Sequence, residues 1–243
     1  NSKEGIVYQF WANRDSHDVN YFDPKTDYAP TTAISSVSWD DSNFPNIEGF
    51  GVWAAKCNFT MGPDGKMYSR MLGGNLVRID VENARGENLT NGDLVGTKDG
   101  SAYGLVFDPQ DENVFYFSNN DKHCIYKYDL RTKEWACWAG QEGKSGYLDG
   151  PIGQAMFNKP GQMCVDSEGN IILTDTENHC IRKITMSTGY VSTLAGKPQN
   201  SGYVNGSAED AQFKKPLGIC IDNDDVMYIG DSENRAIRRL AVE

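Results

Sequence analysis

Long apolar runs are absent from this chain. No stretch approaches the roughly 18 consecutive apolar residues that a membrane-spanning helix needs, and the N-terminus lacks a charged start followed by an apolar stretch. The expectation is a soluble chain with neither a membrane span nor a retained signal peptide. Basic residues are scarce as well: 23 Lys and Arg stand against 34 Asp and Glu, a net charge of -11. The averaged field repels phosphate backbones and anionic lipids, so nucleic acid is not an expected partner, even though Arg182, Lys183, Arg235, Arg238 and Arg239 gather some positive charge. Only three histidines are present, and there is no CxxC pair, GxSxG, P-loop, HExxH or dinucleotide fingerprint. Those absences remove the usual signatures of a zinc knuckle, a serine hydrolase and a phosphate cradle.

What the chain does have is glycine and aromatics, with 25 Gly, 12 Tyr, 10 Phe and 5 Trp in 243 residues. Its apolar runs are short and broken by Gly, Asp and Asn, the pattern of many strands joined by turns. Shifting the chain by 56 residues lays residues 139–184 on 195–240: Ser145, Gly146 and Tyr147 meet Ser201, Gly202 and Tyr203, and Phe157, Lys159 and Pro160 meet Phe213, Lys215 and Pro216. The same shift sets Lys122, His123, Cys124 and Ile125 on Asn178, His179, Cys180 and Ile181, and weaker copies lie at 12–26 and 61–80.

Each copy reads as four short strands with a turn such as DSEGN (166–170) between the first and second and an NH or NR turn between the second and third. A meander of four strands is the unit of a propeller blade, and a ring of blades buries each sheet face against a neighbour. The fold class is therefore all-β, a β-propeller of four-stranded antiparallel blades with about five visible and six expected for the complete protein. A single domain spans 1–243, with repeats at 1–45 (partial), 46–95, 96–140, 141–196 and 197–243 (partial). Asn1 enters at a second strand and Glu243 stops after a third, so upstream residues are expected to supply a missing outer strand.

DTENHCIRKIT (175–185) and DSENRAIRRLA (231–241), each following a Pro-containing turn and a strand ending in Asp, resemble NHL repeats. The linker GYLDGPIGQAMFNKP (146–160) is similar to those of bacterial envelope NHL proteins. The resemblance implies a six-bladed propeller with a central channel, a secreted, periplasmic or cell-surface location, and an N-terminal immunoglobulin-like domain outside this chain. It does not imply one function, since such propellers include binding modules, lyases and lactonases. The zinc-dependent lyases would place His on inner strands, whereas the inner strands here read QMCVD and GICID.

His17, His123 and His179 share one repeat position, which Arg235 fills in the last copy. Spread one to a blade, they form turns and not a convergent catalytic set. Cys164 and Cys220 are repeat equivalents, as are Cys124 and Cys180. Equivalents in neighbouring blades exceed the roughly 7 Å Cα separation that a disulfide tolerates, so these cysteines, with Cys57 and Cys137, read as buried free thiols. Asp108, Asp166 and Asp222 fit Asx turns better than calcium loops. Asp175 and Asp231 end second strands and should accept backbone N–H groups, with Asn119 in that place in the third copy. Asn178 and Asn234 complete the repeat motif, and Pro160 and Pro216 fix the entry to inner strands. No catalytic residue, metal site or cofactor is assigned.

Turns between second and third strands open on the same face as the inter-blade linkers. The candidate binding set on that face is Tyr147, Asp149, Tyr203, Asn205, His123, His179 and Arg235, a mixture of aromatic and hydrogen-bonding groups suited to recognition. The competing reading is that Tyr147 and Tyr203 pack each linker on its own blade. Trp135 and Trp138 are expected to pack between blades. The resulting expectation is a non-catalytic propeller that binds a protein or carbohydrate partner. The alternative is a lyase or lactonase-like enzyme with a channel metal site, using Asp40, Asp41 or Glu48 of the diverged half.

Overall fold

The computed structural model describes strands at 7–10, 18–22 and 35–38, and residues 60–70, 76–80, 85–89 and 104–241. Every sheet is an antiparallel meander. The first comprises β1 (Val7–Phe10), β2 (Asp18–Phe22) and β3 (Ser35–Ser38), and the second β4 (Thr60–Met61), β5 (Met67–Arg70), β6 (Leu76–Asp80) and β7 (Arg85–Asn88). The third runs through β8 (Leu105–Phe107), β9 (Val114–Asn119), β10 (Cys124–Asp129) and β11 (Trp135–Gly140). In the fourth, a short β12 (Gly150–Pro151) pairs outside β16 (Tyr190–Ala195) and precedes β13 (Pro160–Val165), β14 (Ile171–Asp175) and β15 (Cys180–Thr185). The fifth holds β17 (Pro216–Ile221), β18 (Met227–Asp231) and β19 (Ala236–Leu240). The fold is a β-propeller, and the linker strand β12 makes its fourth blade five-stranded.

Strand alternation explains how the blades stack. Successive side chains leave a strand on opposite faces, so one strand feeds two cores. Val114 and Tyr116 of β9 pack with Ile171, Leu173 and Phe157 of the fourth blade, while Phe115 and Phe117 turn to Tyr68 and Leu76 of the second. In β14, Ile171 and Leu173 face the third blade and Ile172 faces Phe213, Ile219 and Ile229 of the fifth. Each core thus lies between two blades and none inside one, which is why a single blade cannot bury its own apolar surface.

Hydrogen bonds repeat the same logic. Ser118 Oγ donates to Gly161 O at 2.7 Å and Thr174 Oγ1 to Leu217 O at 2.9 Å, each reaching 43 residues ahead to the inner strand of the next blade. Both hydroxyl-bearing residues are fully buried. At Gly161 a side chain would collide, since an added Cβ would stand 2.4 Å from Thr174 Oγ1 and 2.9 Å from Leu217 O. Glycine is needed there for close blade approach.

Burial departs from expectation at Trp135 and at Cys137, Cys164 and Cys220. Trp138 packs on Tyr116 with ring centroids 4.1 Å apart, but Trp135 remains exposed. Cys220 is exposed and Cys164 half-buried, whereas Cys124 and Cys180 are fully buried. Cys164 packs against the fifth blade, whereas Cys220 leaves β17 on the side opposite Ile219, a face it shares with the exposed Tyr228 and Ile237.

Candidate functional site

The two ends of the inner strands carry different structures. At the end where each linker enters, an arginine on the third strand organises the blade. Arg182 is 0 % exposed and donates to Asp175 Oδ2 (2.7 Å), Asp149 Oδ1 (2.6 Å), Met156 O (3.1 Å) and Leu148 O (3.0 Å). Its guanidinium lies between the rings of Tyr147 and Phe157, 4.9 and 5.1 Å from their centroids. Arg238 repeats the arrangement with Asp231, Asn205, Gln212 O and Val204 O, between the rings of Tyr203 and Phe213. Planar delocalised charge suits this role, because guanidinium can accept ring faces above and below while its N–H groups fork outward in plane.

The carboxylates complete the clamp. Asp175 Oδ1 accepts the Asn158 N–H at 2.8 Å and Oδ2 accepts Asn178 Nδ2 at 2.9 Å; Asp231 does the same with the Lys214 N–H and Asn234 Nδ2. Asn178 and Asn234 share this bond with a second, to Gly146 O and Gly202 O. Asn119 accepts from Lys122 N. Pro160 and Pro216 are buried at the first residue of β13 and β17, opposite Asp175 and Asp231.

His123, His179 and Arg235 are left-handed, with φ of 56°, 59° and 53°. His179 and Arg235 each close a single 3-10 turn, their N–H groups donating to Thr176 O and Ser232 O. His123 Nδ1 accepts the Lys159 N–H at 3.1 Å and His179 Nδ1 the Lys215 N–H at 3.2 Å, each reaching 36 residues ahead into the next blade. Burial, and then the positive charge of Lys159, pushes the His123 pKa below its ordinary value, consistent with a neutral ring that accepts at Nδ1.

Of the candidate residues on the linker face, Tyr147, Asp149, Asn205, His123 and His179 have polar atoms engaged in the fold, whereas Tyr203 and Arg235 are exposed. Tyr147 is half-buried, its hydroxyl 2.7 Å from Thr193 Oγ1. Tyr203 is 61 % exposed. His17, Cys57, Asp40, Asp41 and Glu48 lie outside the described residues.

At the opposite end of the inner strands the molecule opens into a cavity of about 800 Å³. Its walls are the ends of β4, β8, β13 and β17, including Phe107, Met163, Val165 and Ile221, with Cys164 and Cys220 side by side in sequence register. The turn 108–112 supplies an acidic rim of Asp108, Asp111 and Glu112. Two of these carboxylates have internal duties: Asp108 accepts from Tyr116 Oη at 2.6 Å, and Asp111 pairs with Arg131 at 2.7 Å. The neighbouring turn is set by Asp166, whose Oδ1 accepts the N–H groups of Glu168 and Asn170 and whose Oδ2 meets Lys183 Nζ at 3.0 Å. The Asn170 N–H and the Lys183 ammonium hold its pKa low against the upward pull of burial. Sequence reasoning passed over the cavity because it belongs to no motif: four strand ends, distant in the chain, make it by converging.

Comparison with known proteins agrees with this architecture. The family model for the NHL repeat matches residues 157–184. NHL repeat-containing protein 2 of Gallus gallus is 30 % identical over 152 residues, covering 62 % of this chain and 19 % of its own. An auxiliary nutrient binding protein of Bacteroides thetaiotaomicron shares 28 % identity with a TM-score of 0.62, covering 75 % of this chain and 46 % of that one. A second B. thetaiotaomicron structure, of a protein of unknown function, reaches a TM-score of 0.81 at 24 % identity over 100 % of this chain and 58 % of its own. The chain spans less than a fifth of the curated relatives it matches. Among the described residues no helix is long and apolar enough to cross a membrane.

Proposed function

For a β-propeller that carries an NHL repeat, we propose a non-catalytic binding role, with a protein or carbohydrate ligand seated in the cavity at the channel mouth. The observation that carries this reading is the cavity itself: about 800 Å³, walled by rigid inner strands from four blades and rimmed by acid. Volumes of roughly 300–1,000 Å³ with apolar walls and a few polar groups are typical of ligand sites. The likeness to a nutrient binding protein at 28 % identity supports a binding role and, with it, a location outside the cytoplasm. A six-bladed ring belongs to the same reading.

A second reading places recognition on the linker face. One observation favours it: the exposed Tyr203 ring is held rigid on Arg238, a platform on which a sugar or peptide side chain could stack.

One experiment separates them. Oligosaccharide and peptide arrays identify a ligand, and calorimetry then compares Cys220→Trp, which fills the cavity, with Tyr203→Ala, which strips the platform. The expected result is at least about a tenfold loss of affinity, or ~1.4 kcal/mol, for the first and little change for the second. The reverse pattern would move the site to the linker face, and an intact protein that retains nothing from either array would end the binding proposal.

A further inference from the structure

Cys124 opens β10 and Cys137 lies in β11, which pairs with it. Tyr126 sits opposite Cys137, and Cys124 is two residues from Tyr126, so both thiols share the sheet face turned toward the second blade. Cys124 is fully buried in that core and Cys137 packs half-buried at its margin. Cys137 Sγ lies 3.7 Å from the carbonyl of Gly140, the residue paired with Cys124. The ladder breaks between Ile125 and Tyr126, leaving Trp138 as an extra residue on β11 beside the pair. In the fourth blade the equivalents are Cys180 and Thr193, so the pairing of two cysteines within one blade does not recur there.

We propose that Cys124 and Cys137 are a reversible dithiol–disulfide pair, oxidised by a low-molecular-weight disulfide. Cys137 is half-buried where Cys124 is fully buried, so it is the more accessible sulfur and the attacking thiolate. It displaces one half of the small disulfide as a thiolate, forming a mixed disulfide. Cys124 then gives its proton to the released thiolate and attacks Cys137 Sγ, expelling the second half. Two protein thiols become one disulfide while the small disulfide becomes two thiols, so electrons and protons balance. Diagonal neighbours on paired strands stand farther apart than an unstrained disulfide prefers. Closure must slide β11 along β10 at the bulge, where the ladder is already interrupted, and that strain makes the bond easily reduced.

The test incubates the full chain with oxidised glutathione, then applies intact-mass analysis, alkylation and peptide mapping. The expected product has lost the mass of two hydrogens, joins Cys124 to Cys137, and returns to the starting mass with dithiothreitol. Cys137→Ser should show neither the mass loss nor a glutathione adduct at Cys124. A wild-type protein of unchanged mass, a persistent glutathione adduct at Cys137, or a disulfide joining any other cysteines would overturn the proposal. The decisive reading is made on the unmodified protein, so it does not depend on a variant folding.

Discussion

Arg182 exposes no surface, yet six polar or aromatic groups of its blade are arranged about it. Removing it would strand the Asp175 carboxylate, itself 0 % exposed, without its counter-ion. Arg182→Met is expected to cost about 3–5 kcal/mol in urea denaturation, and adding Asp175→Asn should restore part of that loss, because the penalty comes chiefly from the uncompensated charge. A single-mutant cost below about 1 kcal/mol would mean that the rings and the linker backbone hold the blade without the ion pair. His123 offers a pH test at the same scale. Its pKa is lowered in the fold from 6.5, so below that value the unfolded chain takes up a proton that the native ring resists. Stability from this group is complete above 6.5 and is lost as pH falls toward the lowered value. Urea midpoints measured at about pH 7.5 and about pH 5.5 should drop more for the wild type than for His123→Gln. Equal drops would show that the ring does not govern this pH dependence.

At the scale of the element, the seam between blades rests on hydroxyls donated from second strands to inner-strand carbonyls. Ser118 both receives the Gly104 N–H at 2.8 Å and donates to Gly161 O. Ser118→Ala leaves a buried donor and a buried acceptor unpaired, each worth about 1–3 kcal/mol. Hydrogen exchange followed by mass spectrometry should show faster exchange in β8 and β13 than in β18. Uniform acceleration across all blades would indicate global destabilisation and refute a local seam. Gly161→Ala is expected to be worse, since its Cβ would strike the neighbouring backbone as well as a side chain.

For the whole molecule, the two ends of the ring have different work. The linker end is closed by arginine clamps and histidine links, and the other end carries the open cavity with its acidic rim. The binding comparison between Cys220→Trp and Tyr203→Ala therefore also asks which end of the ring faces the ligand. The thiol pair adds a dependence on redox compartment, since in an oxidising environment the third blade should be cross-linked between its third and fourth strands.

The 56-residue repeat, with its Asp, Asn-His and Pro positions, determined the all-β meander, the propeller class and the order of strands within each blade, because those depend on local turn chemistry and on alternation along a strand. The same repeat contains the clamp residues Asp175 and Arg182, but nothing in the linear pattern shows that Tyr147, Asp149 and Phe157 close around one guanidinium. Tertiary structure alone decided the cavity, the exposure of Cys220 and the sheet face shared by Cys124 and Cys137. The reason is geometric: comparison of equivalent positions examines one blade against the next, whereas a cavity needs several blades to converge and a shared face needs the register of two strands within one blade.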